Sequence, residues 1–106
     1  MGAATGVVTV TARITARPGR QEALRAVMAP LVRATRAEPG CLRYDLLVAG
    51  DDPCAFLMFE EWVSAQALAT HQQSAHIAAF RAAAEPLLEG SVVRTFADVD
   101  VAGRRE

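Results

Sequence analysis

Apolar residues recur along this chain with two different periods, and the changes of period mark the secondary-structure elements. Alternation of period two, rich in Val, Ile and Thr, predicts β-strands, whereas apolar residues three and four positions apart predict amphipathic helices. The strands are predicted at residues 7–16, 41–49, 54–63 and 91–101, and the helices at residues 20–37, 65–73 and 75–88. The resulting order is βαββαβ, with the second helix divided into two segments.

Residues that start or stop helices mark the boundaries of these elements. The sequence Glu-Pro-Gly at 38–40 ends the first helix, and the polar residues 50–53 join the two middle strands as a hairpin whose register is ambiguous by one residue. Ser64 and Ser74 are the predicted N-caps of the two later helical segments. We expect Pro30, which lies within the first helix, to bend that helix or to separate its last turns.

A chain of 106 residues with this order predicts one α+β domain of the ferredoxin-like βαββαβ type, with helices on one face of an antiparallel sheet. We place its core at about residues 7–101 and expect flexible ends at residues 1–6 and 102–106. The strands are apolar on both alternations, and large apolar patches are rare on soluble monomers. A second copy is therefore the expected cover for the other face. The alternative is that the last strand is an ordinary edge strand within one protomer.

The composition excludes several classes of partner. A net charge of −1 gives no electrostatic attraction to nucleic acid or to an anionic membrane. No apolar run approaches the roughly 18 residues of a membrane span, and the first residues lack the features of a secretory signal. We therefore expect a cytoplasmic protein.

The two cysteines, Cys41 and Cys54, lie at opposite ends of the predicted hairpin. At ~3.3 Å per residue they are some ~25 Å apart, whereas a disulfide needs Cα atoms within about 7 Å. Both thiols are expected to be free. The chain also lacks the P-loop, GxGxxG and CxxC motifs.

Two histidines are the first candidates for acid–base chemistry. His71 follows Leu68 by one helical turn on the apolar side of its segment, and it is either a base or a half-buried histidine bonded to backbone. His76 begins the next segment and is either a neutral hydrogen-bond acceptor or a surface cap. Because their spacing is five and a helix break at Ser74 intervenes, they do not form the i, i+4 pair of a zinc site, and no metal site is predicted.

The single Tyr and the single Trp are further candidates. Tyr44 either donates a hydrogen bond to a substrate oxygen or packs its ring in the second strand. Trp62 either stacks on a substrate ring or anchors the third strand in the core. Glu60 and Glu61, just before this Trp, are interpreted as strand-end charges that pair with Arg43, and a role as base has weaker support.

Residues with other chemistry complete the set of candidates. Arg13 points to the side of the first strand opposite Val10, and it either forms an ion pair at a dimer interface or stabilises an anionic intermediate. Arg81 has the same two interpretations.

The segment from residue 38 to residue 80 combines these features: a turn signal, two apolar strands around a polar turn, an acidic pair before the only Trp, and two His at helical positions. In this order the chain resembles the antibiotic biosynthesis monooxygenase family, particularly its small quinol-monooxygenase-like members, over residues 7–101. The resemblance implies a dimeric α/β barrel, in which the last strand reaches across to the partner, and oxygen chemistry without a metal or flavin.

The resemblance has gaps as well as matches. The chain contains no Asn, and Met58 stands where relatives that oxidise anthrone-like polyketides tend to have one; the haem-contacting residues of haem-degrading relatives are also missing. The leading hypothesis is therefore a cofactor-independent monooxygenase that oxidises a small electron-rich phenol, quinol or anthrone-like substrate with O2. The alternatives are an acid–base isomerase of the autoinducer-2-processing type and a non-catalytic small-molecule binding or accessory protein.

The resemblance also suggests roles for the candidates. Trp62 would shape the cavity, His71 would accept a proton, and Tyr44 or an Arg would stabilise the anion. The predicted substrate contacts are His76, Met58, Phe80, Arg13 and Arg81.

Overall fold

The computed structural model describes residues 6–99 and 101–103 and contains the predicted alternation of strands and helices. The elements are β1 (Val8–Ala16), α1 (Gln21–Arg36), β2 (Cys41–Ala49), β3 (Asp52–Trp62), α2 (Ala65–Gln72), α3 (Ala75–Ala84), a 3-10 turn (Glu85–Leu87) and β4 (Leu88–Phe96). The α+β prediction is confirmed. The predicted flexible ends fall mainly on residues 1–5 and 104–106, which lie outside the described residues.

The four strands form one antiparallel sheet in the order β2-β3-β1-β4. Since side chains alternate across a sheet, Val10, Ala12 and Ile14 of β1 share one face, here called the inner face, which lies under the helices and is buried. Arg13 lies on the opposite, outer face, where it is paired with Leu57 of β3 and Val92 of β4. The hairpin register, ambiguous in the sequence, pairs Tyr44 with Glu60.

Both predicted serine caps are confirmed. The Ser64 hydroxyl accepts a hydrogen bond from the Ala67 N–H at 3.1 Å, and the Ser74 hydroxyl accepts one from the Ile77 N–H at 3.2 Å. These caps satisfy N–H groups that the first turn of each helix leaves without a partner. They start α2 and α3 separately and so fix the break between His71 and His76.

Several elements differ from the sequence prediction. Pro30 does not separate the last turns of α1, which is one helix, because buried residues on both sides of the proline, Met28 and Leu31, hold the two turns in the core. Strand β3 begins at Asp52, two residues earlier than predicted. Helix α3 ends at Ala84, and the proline-containing 3-10 turn replaces its predicted last turn. Strand β4 starts at Leu88 and ends at Phe96, earlier at both ends than predicted.

Two predictions from composition concern the cysteines and the crossing of a membrane. Cys41 and Cys54 are both free and only partly buried, as expected. Among the described residues, no helix combines the length and the apolar character that crossing a membrane requires.

Gly40 lies where the loop after α1 passes against α2. A Cβ at this position would be 2.3 Å from the Ala67 Cβ and 3.2 Å from the Val63 Cγ1. The Ala67 methyl cannot rotate away, because it is attached directly to the helix backbone. The absence of a side chain at Gly40 therefore lets the loop, including Glu38, lie against the layer that carries His71.

Gly40→Ala is expected to lower the free energy of unfolding by about 1–3 kcal/mol, the usual cost of overpacking a site. Gly50→Ala is the matched control, since a Cβ there has nothing within 4 Å and both variants share the same gain from a stiffer unfolded chain. Urea unfolding of the three proteins measures the difference. Equal stability of the two variants would show that the loop moves away from α2 without cost.

Candidate functional site

The helices and the inner face of the sheet border a partly open cavity of about 260 Å³. This volume is near the lower end of small-molecule sites, which run from roughly 300 to 1,000 Å³. Its wall is mainly apolar, with polar groups from Tyr44, Glu60, His71, Gln72 and Arg81 among them. The apolar lining residues are Val10, Ala12, Ile14, Leu31, Met58, Leu68, Ile77, Phe80, Leu88 and Val93.

His71 lies at the wall of this cavity and is only 3% exposed. Its Nδ1 is 2.7 Å from Glu38 Oε2, so the sequence alternative of a bond to backbone is replaced by a bond to a carboxylate. The ring is also held by Trp62 and Tyr44, with centroids at 4.6 Å and 5.6 Å. Burial lowers the pKa of His71, and the hydrogen bond and charge of Glu38 oppose this shift.

The tautomer of His71 follows from this contact. A carboxylate only accepts hydrogen bonds, so neutral His71 carries its proton on Nδ1. Its Nε2 then keeps a lone pair and makes no hydrogen bond within the described part of the chain. The cavity is thus lined by an imidazole whose free nitrogen can accept a proton.

Glu38 is a site residue that its place in the sequence does not reveal. It stands at a helix stop, yet its Oε2 lies 2.7 Å from His71 Nδ1 and 2.6 Å from His76 Nε2. Its side chain is 13% exposed. No local pattern indicates this role, because both partners are more than thirty residues away along the chain.

His76 is not brought to the cavity wall. It starts α3, its side chain is 27% exposed, and it borders a separate surface depression between α1 and α3. His76 is therefore not placed for the predicted direct contact with a substrate in the cavity. His76 reaches the cavity only through Glu38 and His71.

Trp62 is also displaced from its expected place. It is fully buried on the inner face and is not among the side chains that line the cavity. Its indole Nε1 donates a hydrogen bond of 2.9 Å to Glu60 Oε1. Trp62 therefore contacts two cavity residues, His71 through its ring and Glu60 through this hydrogen bond.

Glu60 corrects the interpretation of strand-end charges. It is 6% exposed and lines the cavity. Burial raises its pKa to about 7, the charge of Glu38 adds to the rise, and the hydrogen bond from Trp62 opposes it. Arg43 lies opposite Glu61 across the hairpin, as expected for that member of the acidic pair, and its guanidinium also donates to Asp45 Oδ2 at 2.6 Å.

Tyr44 extends from β2 into the cavity wall and is buried. Burial is the main cause that raises its pKa, and the charge of Glu60 adds to it. Thr35, a fully buried residue nearby, offsets part of this rise, although its hydroxyl has no hydrogen-bond partner of good geometry among the described residues. Tyr44 is therefore a neutral hydroxyl that can donate a hydrogen bond.

The remaining candidates lie on opposite sides of the sheet, some at the cavity and one on the outer face. Met58, Phe80 and Arg81 line the cavity, and their contact with a substrate stays a prediction. Arg13 is exposed on the outer face, so a contact with a ligand in this cavity is not available to it.

The sequence and the fold of this chain are similar to those of several known proteins. The family model described as "Antibiotic biosynthesis monooxygenase" matches residues 7–83. "Putative monooxygenase Rv0793" of Mycobacterium tuberculosis is 38% identical over 91 residues, covering 86% of this chain and 89% of the relative. "Putative monooxygenase YcnE" of Bacillus subtilis is 32% identical, covering 84% and 96%. The crystal structure of PA3566 from Pseudomonas aeruginosa has a TM-score of 0.84 at 37% identity and covers 89% of this chain and 95% of that one.

Proposed function

Since this chain belongs to the antibiotic biosynthesis monooxygenase family, we propose that it oxidises a small electron-rich phenol or quinol with O2, without a metal or flavin. The family and the names of its relatives support a monooxygenase-like role in general. The observation that carries the finer proposal is the buried imidazole of His71, which lines an apolar cavity, with Nδ1 fixed by Glu38 and Nε2 without a hydrogen-bond partner among the described residues.

The first step is deprotonation of the substrate. The phenolic O–H gives its proton to His71 Nε2, and the negative charge of Glu38 stabilises the imidazolium that forms. The phenolate is then electron-rich enough to give one electron to O2, which yields a phenoxyl radical and superoxide in the same cavity. An apolar wall favours this step because the small, neutral O2 enters it at little cost.

Recombination of the two radicals forms a carbon–oxygen bond and a peroxide on the ring carbon. The distal oxygen of the peroxide anion takes the proton of the ring carbon, the electron pair of that C–H bond forms the C=O bond, and the O–O bond breaks to release hydroxide. The hydroxide takes the proton held by His71 and leaves as water. One oxygen atom therefore ends in the product and the other in water, and the substrate, oxidised to a quinone, supplies all the electrons that reduce O2.

Other lining residues have defined tasks in this proposal. Arg81 and the hydroxyl of Tyr44 stabilise the oxyanion of the phenolate and of the peroxide. Met58 and Phe80 form the apolar wall against the ring. Trp62 acts through the residues it holds, His71 and Glu60, and His76 acts through Glu38.

The cavity volume narrows the substrate class. About 260 Å³ suits one or two fused rings better than a large polycyclic anthrone. Oxygen uptake with a panel from hydroquinones to anthrones, using protein stripped of metal and flavin, tests the proposal. We expect uptake with the smaller members and one atom from labelled O2 in the product. Equal turnover without oxygen would point to the acid–base isomerase, and binding without conversion would point to a binding protein.

We also propose that the protein is a homodimer joined through the outer face of the sheet. This face carries the exposed apolar side chains Leu47, Val92 and Phe96 together with the half-buried Leu57. These positions share one face by their pairing register. A second copy offers the same apolar surface. The charges that share this face by register, Arg13, Arg94 and the Arg43–Asp45 ion pair, then have to be paired across the interface or lie at its rim.

Light scattering tests this assembly. The wild-type chain is expected at twice the mass of one copy, and Val92→Arg is expected to shift it toward the monomer, because each interface would then bury two added charges. Ala82→Arg, on the exposed side of α3, is the control and should remain dimeric. A wild-type monomer at micromolar concentration would contradict the proposal.

A further inference from the structure

We propose that Glu38, His71 and His76 form a binding site for one divalent transition-metal ion of the Zn²⁺ type, and that occupation of this site removes the base from the cavity. Metal binding stands on the geometry alone. The loss of the base rests on the proposed function, in which His71 accepts the substrate proton.

The three donor atoms converge on one point. His71 Nδ1, His76 Nε2 and Glu38 Oε2 all lie within 4.8 Å of one another, and the carboxylate oxygen is 2.7 Å and 2.6 Å from the two nitrogens. Metal–ligand distances of roughly 2.0–2.2 Å place adjacent donors of a tetrahedral site about 3.3–3.6 Å apart. The two short contacts therefore have to widen by roughly 0.6–1.0 Å around the ion.

The structure shows which side chains can make this adjustment. His71 is held firmly, since it is buried against Trp62 and Tyr44. His76 is partly exposed at the start of α3, and the Glu38 side chain lies in a loop end that reaches solvent. Movement of these two residues brings the donors to metal distance around a fixed His71.

The donor set selects the class of ion. Two imidazole nitrogens with one carboxylate oxygen are a set that binds catalytic zinc, with a further position left for water. Mg²⁺ and Ca²⁺ prefer sites built from oxygen ligands alone. Partial exposure of His76 and Glu38 gives the ion a route from solvent that does not cross the cavity.

Metal binding changes the tautomer of His71. In the hydrogen-bonded state the proton is on Nδ1 and the lone pair is on Nε2, at the cavity. A metal ion needs the lone pair of Nδ1, so the single proton of the neutral ring has to sit on Nε2. The ring stays neutral and no net proton is released. Its cavity-side nitrogen becomes a donor and can no longer accept the phenolic proton.

Titration with Co²⁺ tests the site, since this ion replaces Zn²⁺ in such ligand sets and absorbs visible light when bound to nitrogen ligands. We expect saturation at one Co²⁺ per chain, displacement by Zn²⁺, and binding at least ~10-fold weaker in Glu38→Gln and His76→Gln. Glu61→Gln is the control, because Glu61 neighbours the buried Glu60 but is not a ligand. No absorption band, or equal binding by all variants, would overturn the site.

Nitrogen NMR of the labelled histidines tests the second half independently of any activity. The proton of His71 is expected on Nδ1 without metal and on Nε2 with Zn²⁺. Oxygen uptake should then fall as the site fills. A Zn²⁺-loaded protein whose His71 keeps its proton on Nδ1, or which oxidises substrate at the unloaded rate, would overturn the switch. If no substrate is oxidised at all, the Co²⁺ and NMR results still decide the metal site.

Discussion

His71→Gln is expected to lower kcat/KM for oxidation of the best small quinol by ~10²–10⁴-fold, the usual contribution of a general base. Glutamine preserves the approximate length and polarity of the side chain but has no group that takes a proton at neutral pH. Because His71 is the imidazole at the cavity wall, no other lining residue offers a free nitrogen with a lone pair. Initial rates of oxygen consumption measure the effect.

His76→Gln provides the matched comparison. It removes the other imidazole from the same carboxylate oxygen but leaves the cavity wall unchanged. We expect a loss of about 10-fold or less, as for a residue that acts through another. Rates for His71→Gln within twofold of wild type, in a protein with an unchanged far-UV spectrum, would exclude His71 as the base.

Glu60→Gln is expected to remove about 3 kcal/mol of pH dependence from the free energy of unfolding between pH 4 and pH 8. The pKa of Glu60 is about 7 in the fold, against a model-compound value of 4.5. The folded state therefore holds this proton over a range in which the unfolded chain has lost it. Stability from Glu60 is fully present below about pH 4.5 and declines as pH rises toward about 7.

Glu61→Gln is the control for this experiment. The two glutamates are neighbours in β3, but Glu61 faces away from the cavity and is more exposed. Urea unfolding at several pH values should show a flatter profile for Glu60→Gln and a wild-type profile for Glu61→Gln. Parallel profiles for wild type and Glu60→Gln would mean that the carboxyl ionises in the fold without a burial cost.

Parts of the site were present in the sequence pattern. His71 was recognised because it follows Leu68 by one helical turn, and it is buried as that position predicts. Glu60 could have been recognised too, since it shares its alternation along β3 with the buried Met58 and Trp62. Its acidic type suggests a strand-end charge in solvent. Its place in the alternation of β3 determines its burial on the inner face instead.

The contacts of Trp62 and Glu38 in the folded chain could not be predicted from the period of a helix or strand. Trp62 was expected on a cavity wall, and its burial against His71 depends on how β3 packs against α2. Glu38 follows a helix end, where an acidic residue is ordinarily solvated. Its contact with two histidines depends on the tight passage of the Gly40 loop against Ala67.

By itself, the sequence determined the strands, the helices, their order and the break between α2 and α3, because these depend on side-chain period and on caps within a few residues. Only the tertiary structure decided the tautomer of His71, the raised pKa of Glu60 and the shape of the cavity. These properties depend on desolvation and on hydrogen bonds between residues 33 and 38 positions apart in the chain, and no local pattern records such distances.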